Sequence, residues 1–210
     1  MVVNRELKKE SSHKTDQLRL NKRMQKRIFD LVVSLLAFII FSIPMLLVAI
    51  AVWISSPGPI LYWSERIGRN NQVFSMPKFR TMRLNTPVLP THLLSNASAF
   101  LTPIGSFLRK SSLDELPQLF CILKGQMSLV GPRPVLYNQQ DLIDARTALG
   151  VHILTPGLTG WAQVNGRDEL PLDLKVKYDK EYLDQKSFLM DLKILVLTVW
   201  KVLRVEDVTH

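Results

Sequence analysis

An apolar run from Leu31 to Ile54 constrains this chain more than any other feature. The run is about 24 residues long, carries no charged side chain, and is interrupted only by Ser34, Ser42 and Pro44. An α-helix needs about 20 such residues to cross a bilayer. A cleavable signal peptide is excluded, because the run starts about thirty residues into the chain and leads into no small-residue cleavage site. The run therefore predicts a membrane helix.

Both flanks of this run are basic. Nine Lys or Arg residues lie between residues 5 and 27, and five lie between residues 66 and 83. Because positive charge marks the cytoplasmic side, a helix that enters and returns would keep both flanks inside. Pro44 removes a backbone hydrogen bond and can kink the helix, and Ser42 can satisfy a freed carbonyl. The charge symmetry favours a re-entrant helix broken at Pro44, with an ordinary transmembrane helix as the alternative.

The rest of the chain has room for one modest domain. Its 210 residues carry a net charge of +9, which calls for an anionic partner such as nucleic acid, lipid headgroups or a phosphorylated small molecule. No zinc-ligand spacing, helix-turn-helix pattern or aromatic series favours nucleic acid. The single cysteine, Cys121, excludes a disulfide within the chain and predicts a buried, unreactive thiol. We expect a basic arm (1–27), a membrane helix (28–55) and a cytosolic domain (56–210).

We expect an α+β fold in which helices predominate. The apolar segments 60–63 and 73–76 flank polar residues and predict a β-hairpin, with Gly68 or the Asn70-Asn71 pair in its bend. Amphipathic patterns predict further helices over residues 104–110, 138–149, 172–182 and 188–203. The last of these should pack on the core or lie on the membrane surface. Residues 86–102 and 155–161 are predicted as loops.

The richest chemistry lies between Arg109 and Pro134. Adjacent carboxylates, Asp114 and Glu115, follow a basic pair and precede a Gly-Pro-Arg-Pro turn that presents Arg133. Neighbouring side chains in a helix point about 100° apart, so the two acids are expected to act differently. One carboxylate would attack phosphorus and the other would hold a divalent cation, for which Mg²⁺ is the natural choice.

A structural role is the alternative for the same acids. Ser112 and Glu115 fit a capping box, in which Glu115 satisfies the backbone of Ser112 and Asp114 complements the helix dipole. The two roles are compatible, because a helix N-terminus also binds phosphate. Glycosidases use two carboxylates several ångströms apart across a sugar, so a basic site beside a membrane favours phosphate transfer instead.

Two other segments carry candidate phosphate ligands. Lys78 and Arg80, separated by one residue on an extended segment, would project to the same face. A solvated strand edge is the alternative for this pair. Asn165 and Arg167 could close a site from the far end of the chain, and a β-turn shaped by Asn165-Gly166 is the alternative there.

Seven motifs, in order, resemble those of the bacterial sugar transferases known as monotopic phosphoglycosyl transferases. The likeness extends from about Arg27 to Leu203. The motifs are S-P-G-P (56–59), R-I-G-R (66–69), K-F-R-T-M (78–82), S-S-L-D-E-L-P-Q-L (111–119), M-S-L-V-G-P-R-P (127–134), P-G-L-T-G-W-A-Q-V-N-G-R (156–167) and D-L-K-I-L-V-L-T-V-W (191–200).

The resemblance implies a reaction in which a sugar 1-phosphate moves from a UDP-sugar to a polyprenyl phosphate, usually undecaprenyl phosphate, releasing UMP. This would be the first membrane step in building a surface polysaccharide or glycoconjugate. Asp114 would attack the phosphate attached to the sugar and form a covalent phosphosugar intermediate, while Glu115 would hold Mg²⁺. Candidate ligands for phosphate or nucleotide would be Lys78, Arg80, Arg109 and Arg133.

The resemblance also implies a location on the cytoplasmic face of the bacterial inner membrane, with lipids and both substrates as partners. Nucleic acid is not an expected partner, and a homo-oligomer is left open. The family's re-entrant helix bends at a proline that serine often directly precedes, whereas Ile43 separates Ser42 from Pro44 here. The chain resembles a minimal catalytic form, because it lacks the multi-helix N-terminal region of larger relatives.

Two alternatives belong to other functional classes. A non-catalytic membrane scaffold would use the basic face to hold glycan-assembly partners, but would have no need of the Asp114-Glu115 pair. A membrane-tethered nucleic-acid binder would bind DNA or RNA in a salt-sensitive way.

Overall fold

The computed structural model describes residues 2–87, 97–166 and 170–204, which form a mostly helical fold with two small sheets. This architecture agrees with the α+β prediction. The helices are α1 (Val2–Ile40), α2 (Ser42–Ser55), α3 (Gly105–Lys110), α4 (Leu119–Lys124), α5 (Gln140–Ala148), α6 (Trp161–Val164), α7 (Leu172–Gln185) and α8 (Phe188–Arg204). The strands are β1 (Leu61–Ile67), β2 (Val73–Phe79), β3 (Ser128–Val130), β4 (Val135–Leu136) and β5 (Gly157–Thr159). Short 3₁₀ turns cover Arg69–Asn71, Ala97–Phe100, Leu113–Gln118 and Val151–Ile153.

The predicted hairpin is confirmed and is longer than expected. Strands β1 and β2 pair antiparallel, from Leu61 opposite Phe79 to Ile67 opposite Val73. The connecting turn places Asn70 and Asn71 in the left-handed region, with φ values of 55° and 59°. Asparagine tolerates this region better than most residues, which explains its presence there. Strand β4 pairs with the other edge of β1.

A parallel pair, β3 and β5, replaces part of the predicted loop over residues 155–161. Ser128 pairs with Gly157 and Val130 with Thr159. The loop prediction was wrong here because a three-residue strand is too short to show an alternating pattern. The backbones approach so closely that a Cβ on Gly157 would lie 2.1 Å from the amide nitrogen of Gly131. The turn after β3 is therefore held against β5.

The apolar run is broken between α1 and α2, whose axes differ by 58°. The break falls at Phe41, one turn before Pro44, because the proline ring cannot pack against the carbonyl of Ile40. The Ser42 hydroxyl donates to the Ile39 carbonyl at 2.7 Å, whereas the carbonyl that Pro44 leaves without an N–H donor is that of Ile40. Within the described ranges, no single helix is long and apolar enough to cross a bilayer. Among the described residues, the bent pair alone passes that test of length and composition.

Helix α1 has one face in the domain and one face exposed. Phe29, Val33 and Ala37 pack against the main hydrophobic core. Buried Asp30 accepts hydrogen bonds from the Ser128 hydroxyl at 2.7 Å and from the Leu129 amide at 3.3 Å. The opposite face exposes large apolar side chains, namely Ile28, Val32, Leu35, Leu36, Ile39 and Ile40. Helix α1 therefore packs against the domain with one face and exposes apolar side chains on the other.

Helix α8 has a similar division. Ile194 is fully buried in the main core, which confirms that this helix packs on the domain. Leu189, Val196 and Val199 are exposed on its other side. Cys121 in α4 is also in this core, and burial raises the pKa of its thiol to about 11. The thiol is therefore protonated and unreactive at neutral pH, as expected.

Candidate active site

The two adjacent acids lie in the 3₁₀ turn Leu113–Gln118. Ser112, which precedes it, is in the left-handed region with a φ of 55° and makes no side-chain capping hydrogen bond. The capping-box alternative was therefore wrong. In a 3₁₀ turn, successive side chains point about 120° apart, so Asp114 and Glu115 face different surroundings.

Glu115 joins three segments that are distant in sequence. Its Oε1 accepts a hydrogen bond from Lys78 Nζ at 2.7 Å and another from Arg133 Nη2 at 3.2 Å. Lys78 is on β2, and Arg133 is in the turn between β3 and β4. Only 11% of the Glu115 side chain and 16% of the Lys78 side chain are exposed. Charge-assisted bonds in such a partly buried setting fix both cations beside the acid pair.

Asp114 has a different environment. It is 7% exposed, and no donor in the described ranges forms a hydrogen bond to its carboxylate. Burial raises the pKa of Asp114, and the neighbouring Glu115 charge raises it further, whereas Lys78, Arg109 and Arg133 lower it. The carboxylate is thus mostly buried and lies near three cations.

The predicted basic pair, Arg109 and Lys110, is divided by the structure. Arg109 at the end of α3 donates from Nε to the Thr81 hydroxyl at 3.0 Å and is close enough to lower the pKa of Asp114. Lys110 is exposed and is absent from the cations that act on that pKa. Neighbouring residues on a short helix point in different directions, so only Arg109 faces the acids.

Two other candidate ligands lie elsewhere, and a third falls outside the described residues. Arg80 is buried just after β2, and its two terminal nitrogens donate to the carbonyls of Ser56 and Pro57, both at 2.6 Å. Asn165 donates to the Trp161 carbonyl at 2.7 Å, within its own helical turn. Arg167 lies outside the described residues. Substrate binding by these three residues stays a prediction.

Two arginines that the sequence did not single out hold the turn that carries Arg133. Arg66 Nη1 donates to the Pro134 carbonyl at 3.2 Å, and Arg146 Nη1 donates to the Arg133 carbonyl at 2.8 Å. Their partners within the turn are backbone oxygens, which leave no signature in the sequence. Arg66 lies inside a family motif, but Arg146 lies in an ordinary charged helix, and nothing in its pattern indicated this contact.

The acids meet the chemical requirement for Mg²⁺ only in part. The described residues contain no group of three or more His, Cys, Asp or Glu side chains that could hold a metal ion. Mg²⁺ is usually held by one or two carboxylates together with substrate phosphates. Glu115 supplies one such carboxylate, and binding of Mg²⁺ stays a prediction.

A model of the family described as "Bacterial sugar transferase" matches residues 21–205. The chain belongs to this family. The resemblance that the motifs indicated is therefore confirmed, and the protein is an enzyme of the sugar transferase class.

Named relatives of this sugar transferase include both short and long chains. The exopolysaccharide production protein ExoY of Sinorhizobium fredii is 40% identical over 191 residues, which cover 84% of each chain. The UDP-glucose:undecaprenyl-phosphate glucose-1-phosphate transferase of Escherichia coli is 39% identical over 85% of this chain and 40% of its own. The UDP-N-acetylgalactosamine-undecaprenyl-phosphate N-acetylgalactosaminephosphotransferase of Aeromonas hydrophila is 34% identical over 85% of this chain and 43% of its own.

Proposed function

We propose that this sugar transferase moves a sugar 1-phosphate from a UDP-sugar to a polyprenyl phosphate such as undecaprenyl phosphate, releasing UMP. The observation that carries the proposal is Asp114, a buried carboxylate without a hydrogen-bond donor in the described residues, beside Lys78, Arg109 and Arg133. The names of the relatives, which specify UDP-glucose and undecaprenyl phosphate, support both substrate classes.

In the first step, an oxygen of ionised Asp114 attacks the phosphorus attached to the sugar. A bond from this oxygen to phosphorus forms, the bond from phosphorus to the bridging oxygen breaks, and UMP leaves with that oxygen and its electron pair. Lys78, Arg109 and Arg133 favour the ionised carboxylate by lowering its pKa. The same cations would stabilise charge that develops on the diphosphate.

In the second step, an oxygen of the polyprenyl phosphate attacks the phosphorus held by Asp114. The bond between phosphorus and the carboxylate breaks, which restores Asp114 and gives a polyprenyl diphosphate sugar. Since the nucleotide departs before the lipid reacts, the kinetics should be ping-pong.

Glu115, together with the substrate phosphates, would hold Mg²⁺. The ion would supply positive charge that polarises the transferred phosphoryl group. The bonds from Lys78 and Arg133 to Glu115 would fix the orientation of this carboxylate before substrate binds.

The same proposal sets the site at the cytoplasmic face of the inner membrane, with α1 and α2 as a re-entrant pair. Both ends of the bent pair are attached to one domain. Arg27 donates to the carbonyls of Ile122 and Leu123 at 2.6 and 2.9 Å, and Arg80 holds Ser56 and Pro57 after α2. Because both ends contact the same domain, they are expected on the same side of the bilayer.

Release of UMP tests the reaction. Purified protein with Mg²⁺ and undecaprenyl phosphate is given a panel of donors that includes UDP-glucose and UDP-N-acetylgalactosamine. We expect UMP from at least one donor and, without lipid, an intact-mass increase equal to one phosphosugar. If none of the panel is consumed, the proposed reaction is wrong. UMP release without an adduct under any quenching condition would favour direct transfer between substrates.

Cysteine labelling tests the topology. Gln17→Cys and Lys110→Cys introduce exposed thiols before and after the bent pair, and buried Cys121 should remain silent in the intact protein. A re-entrant pair predicts that a membrane-impermeant maleimide labels both positions only after the inner membrane is opened. Labelling of Gln17→Cys from the periplasm would show a true span instead.

A further inference from the structure

The turn formed by residues 131–134 depends on carbonyl contacts, because two of its four residues are prolines without an N–H. The Pro132 carbonyl accepts from the Gly157 amide at 2.9 Å, and the Gly131 amide donates to the Thr159 carbonyl at 2.9 Å. These bonds fix the start of the turn to β5. The next carbonyl, that of Arg133, accepts from Arg146.

Arg146 is itself held rigidly. Its Nε and Nη2 donate to a single oxygen of Asp179, Oδ2, at 2.9 and 2.6 Å. Asp179 is 1% exposed, and only 11% of the Arg146 side chain is exposed. With these two nitrogens engaged, the guanidinium plane is fixed and Nη1 points to the Arg133 carbonyl. Helices α5 and α7 support the pair through contacts of Ile143 and Val176.

An open cleft lined by Pro132, Arg133, Val135 and Arg146 lies between the turn and α5. Buried Val135, just after the turn, belongs to a hydrophobic cluster with Ile143 and Val176. The hydrogen bond from Arg146 adds a directional restraint on the Arg133 backbone, next to the bond from Arg66 to the Pro134 carbonyl. The other end of Arg133, its guanidinium, meets Glu115 at 3.2 Å.

We propose that Arg146 and Asp179 are positioning residues, which fix the backbone of Arg133 so that its guanidinium stays beside Glu115 and Asp114. The inference rests on the proposed function only for its kinetic consequence. A displacement of about 1 Å in a residue that aligns substrate can cost about 100-fold in rate. Arg146 touches no acid of the site directly, so its whole effect on transfer should pass through Arg133.

A double-mutant cycle tests this dependence. Arg146→Lys keeps the charge but loses the fork that contacts Asp179 and Arg133 together, and we expect kcat/KM to fall at least about tenfold. In an Arg133→Ala background, the same substitution should change kcat/KM by less than about twofold. Lys180→Gln removes an exposed ion pair with Asp184 on α7, the helix that carries Asp179. This variant should keep kcat/KM within about twofold of the parent.

Equal losses from Arg146→Lys in both backgrounds would overturn the proposal, because they would mean that Arg146 acts independently of Arg133. An unchanged kcat/KM for Arg146→Lys would overturn it as well. If Arg146→Lys folds poorly, Asp179→Asn can replace it in the cycle. Its effect on kcat/KM should likewise be lost in the Arg133→Ala background.

Hydrogen exchange supplies a readout that needs no turnover. Peptides that cover residues 128–136 and 155–160 report the amides of Gly131 and Gly157. Arg146→Lys should accelerate exchange in both peptides at least about tenfold, while Lys180→Gln should not. Unchanged exchange would overturn the positioning role even if no donor were ever found. Accelerated exchange in a protein that releases no UMP would instead count against the proposed function alone.

Discussion

Asp114 and Asp179 are both buried acids whose pKa is raised by burial, yet they have opposite relations to their neighbours. Asp179 receives two hydrogen bonds from Arg146, whereas no donor in the described residues reaches the carboxylate of Asp114. The difference teaches that burial alone does not indicate a catalytic acid. Asp179 has a committed arginine partner, whereas the cations near Asp114 form their hydrogen bonds with other groups.

The raised pKa of Asp114 also affects how the stability of the fold depends on pH. Because the pKa of folded Asp114 lies above its ordinary value of 3.8, ionised Asp114 lowers the stability of the fold above that pKa. This loss is relieved as the pH falls through the folded pKa. Natural proteins often give up stability in this way at functional sites.

The largest expected effect comes from Asp114→Asn. The amide keeps the shape but cannot form the phosphosugar ester, so UMP release should fall about 1,000-fold or more. The thermal midpoint should stay the same or rise, since a buried charge is removed. Full turnover in this variant would exclude Asp114 as the nucleophile, and a large loss of stability would erase the contrast with Asp179.

Asp179→Asn should act mainly on stability. It leaves buried Arg146 without its anionic partner, and removal of one member of a buried ion pair typically costs about 3 kcal/mol or more. Chemical denaturation monitored by circular dichroism measures the change in unfolding free energy. A change below about 1 kcal/mol in the unfolding free energy would show that Asp179 contributes no more to stability than Asp114 does.

The pH dependence of transfer should sharpen the electrostatic part of the comparison. Transfer needs ionised Asp114, so the rate should fall as the pH drops through the raised pKa of this acid. Lys78→Met removes the cation that lowers this pKa most. It should therefore move the acid limb, the low-pH side of the plot of rate against pH, to higher pH. Glu115→Gln removes a like charge and should move the limb to lower pH.

Single-turnover rates of adduct formation across pH measure these shifts, because saturating donor separates ionisation from binding. Shifts in the same direction for Lys78→Met and Glu115→Gln would contradict the assignment of the limb to Asp114. Lys180→Gln, which removes an exposed ion pair on α7, is the control, and its limb should stay close to that of the parent.

The smallest effects distinguish the neighbouring cations at the end of α3. Arg109→Gln removes a charge that acts on Asp114 and should lower kcat/KM about tenfold. Lys110→Gln changes an exposed side chain and should leave kcat/KM within about twofold of the parent. Equal effects of the two substitutions would indicate a diffuse basic surface in place of a built site.

The sequence indicated best those candidate site residues that lie close together in the chain. Asp114, Glu115 and Arg133 were identified from an acid pair and a rigid turn within 20 residues, and the structure brings them together with Lys78 from β2. Arg80 shows why pattern alone fails. Alternation predicted that it would share a face with Lys78, but the strand ends at Phe79 and Arg80 contacts the chain after α2 instead.

The sequence by itself determined the family, the broken apolar helix, the hairpin and the adjacent acid pair, because each depends on residues close together in the chain. Tertiary structure alone decided which charges meet. Arg146 and Asp179 are 33 positions apart, and Arg146 meets its other partner, the carbonyl of Arg133, only after α5, α7 and the turn have packed. A backbone carbonyl is the same at every residue, so no sequence pattern could reveal that contact.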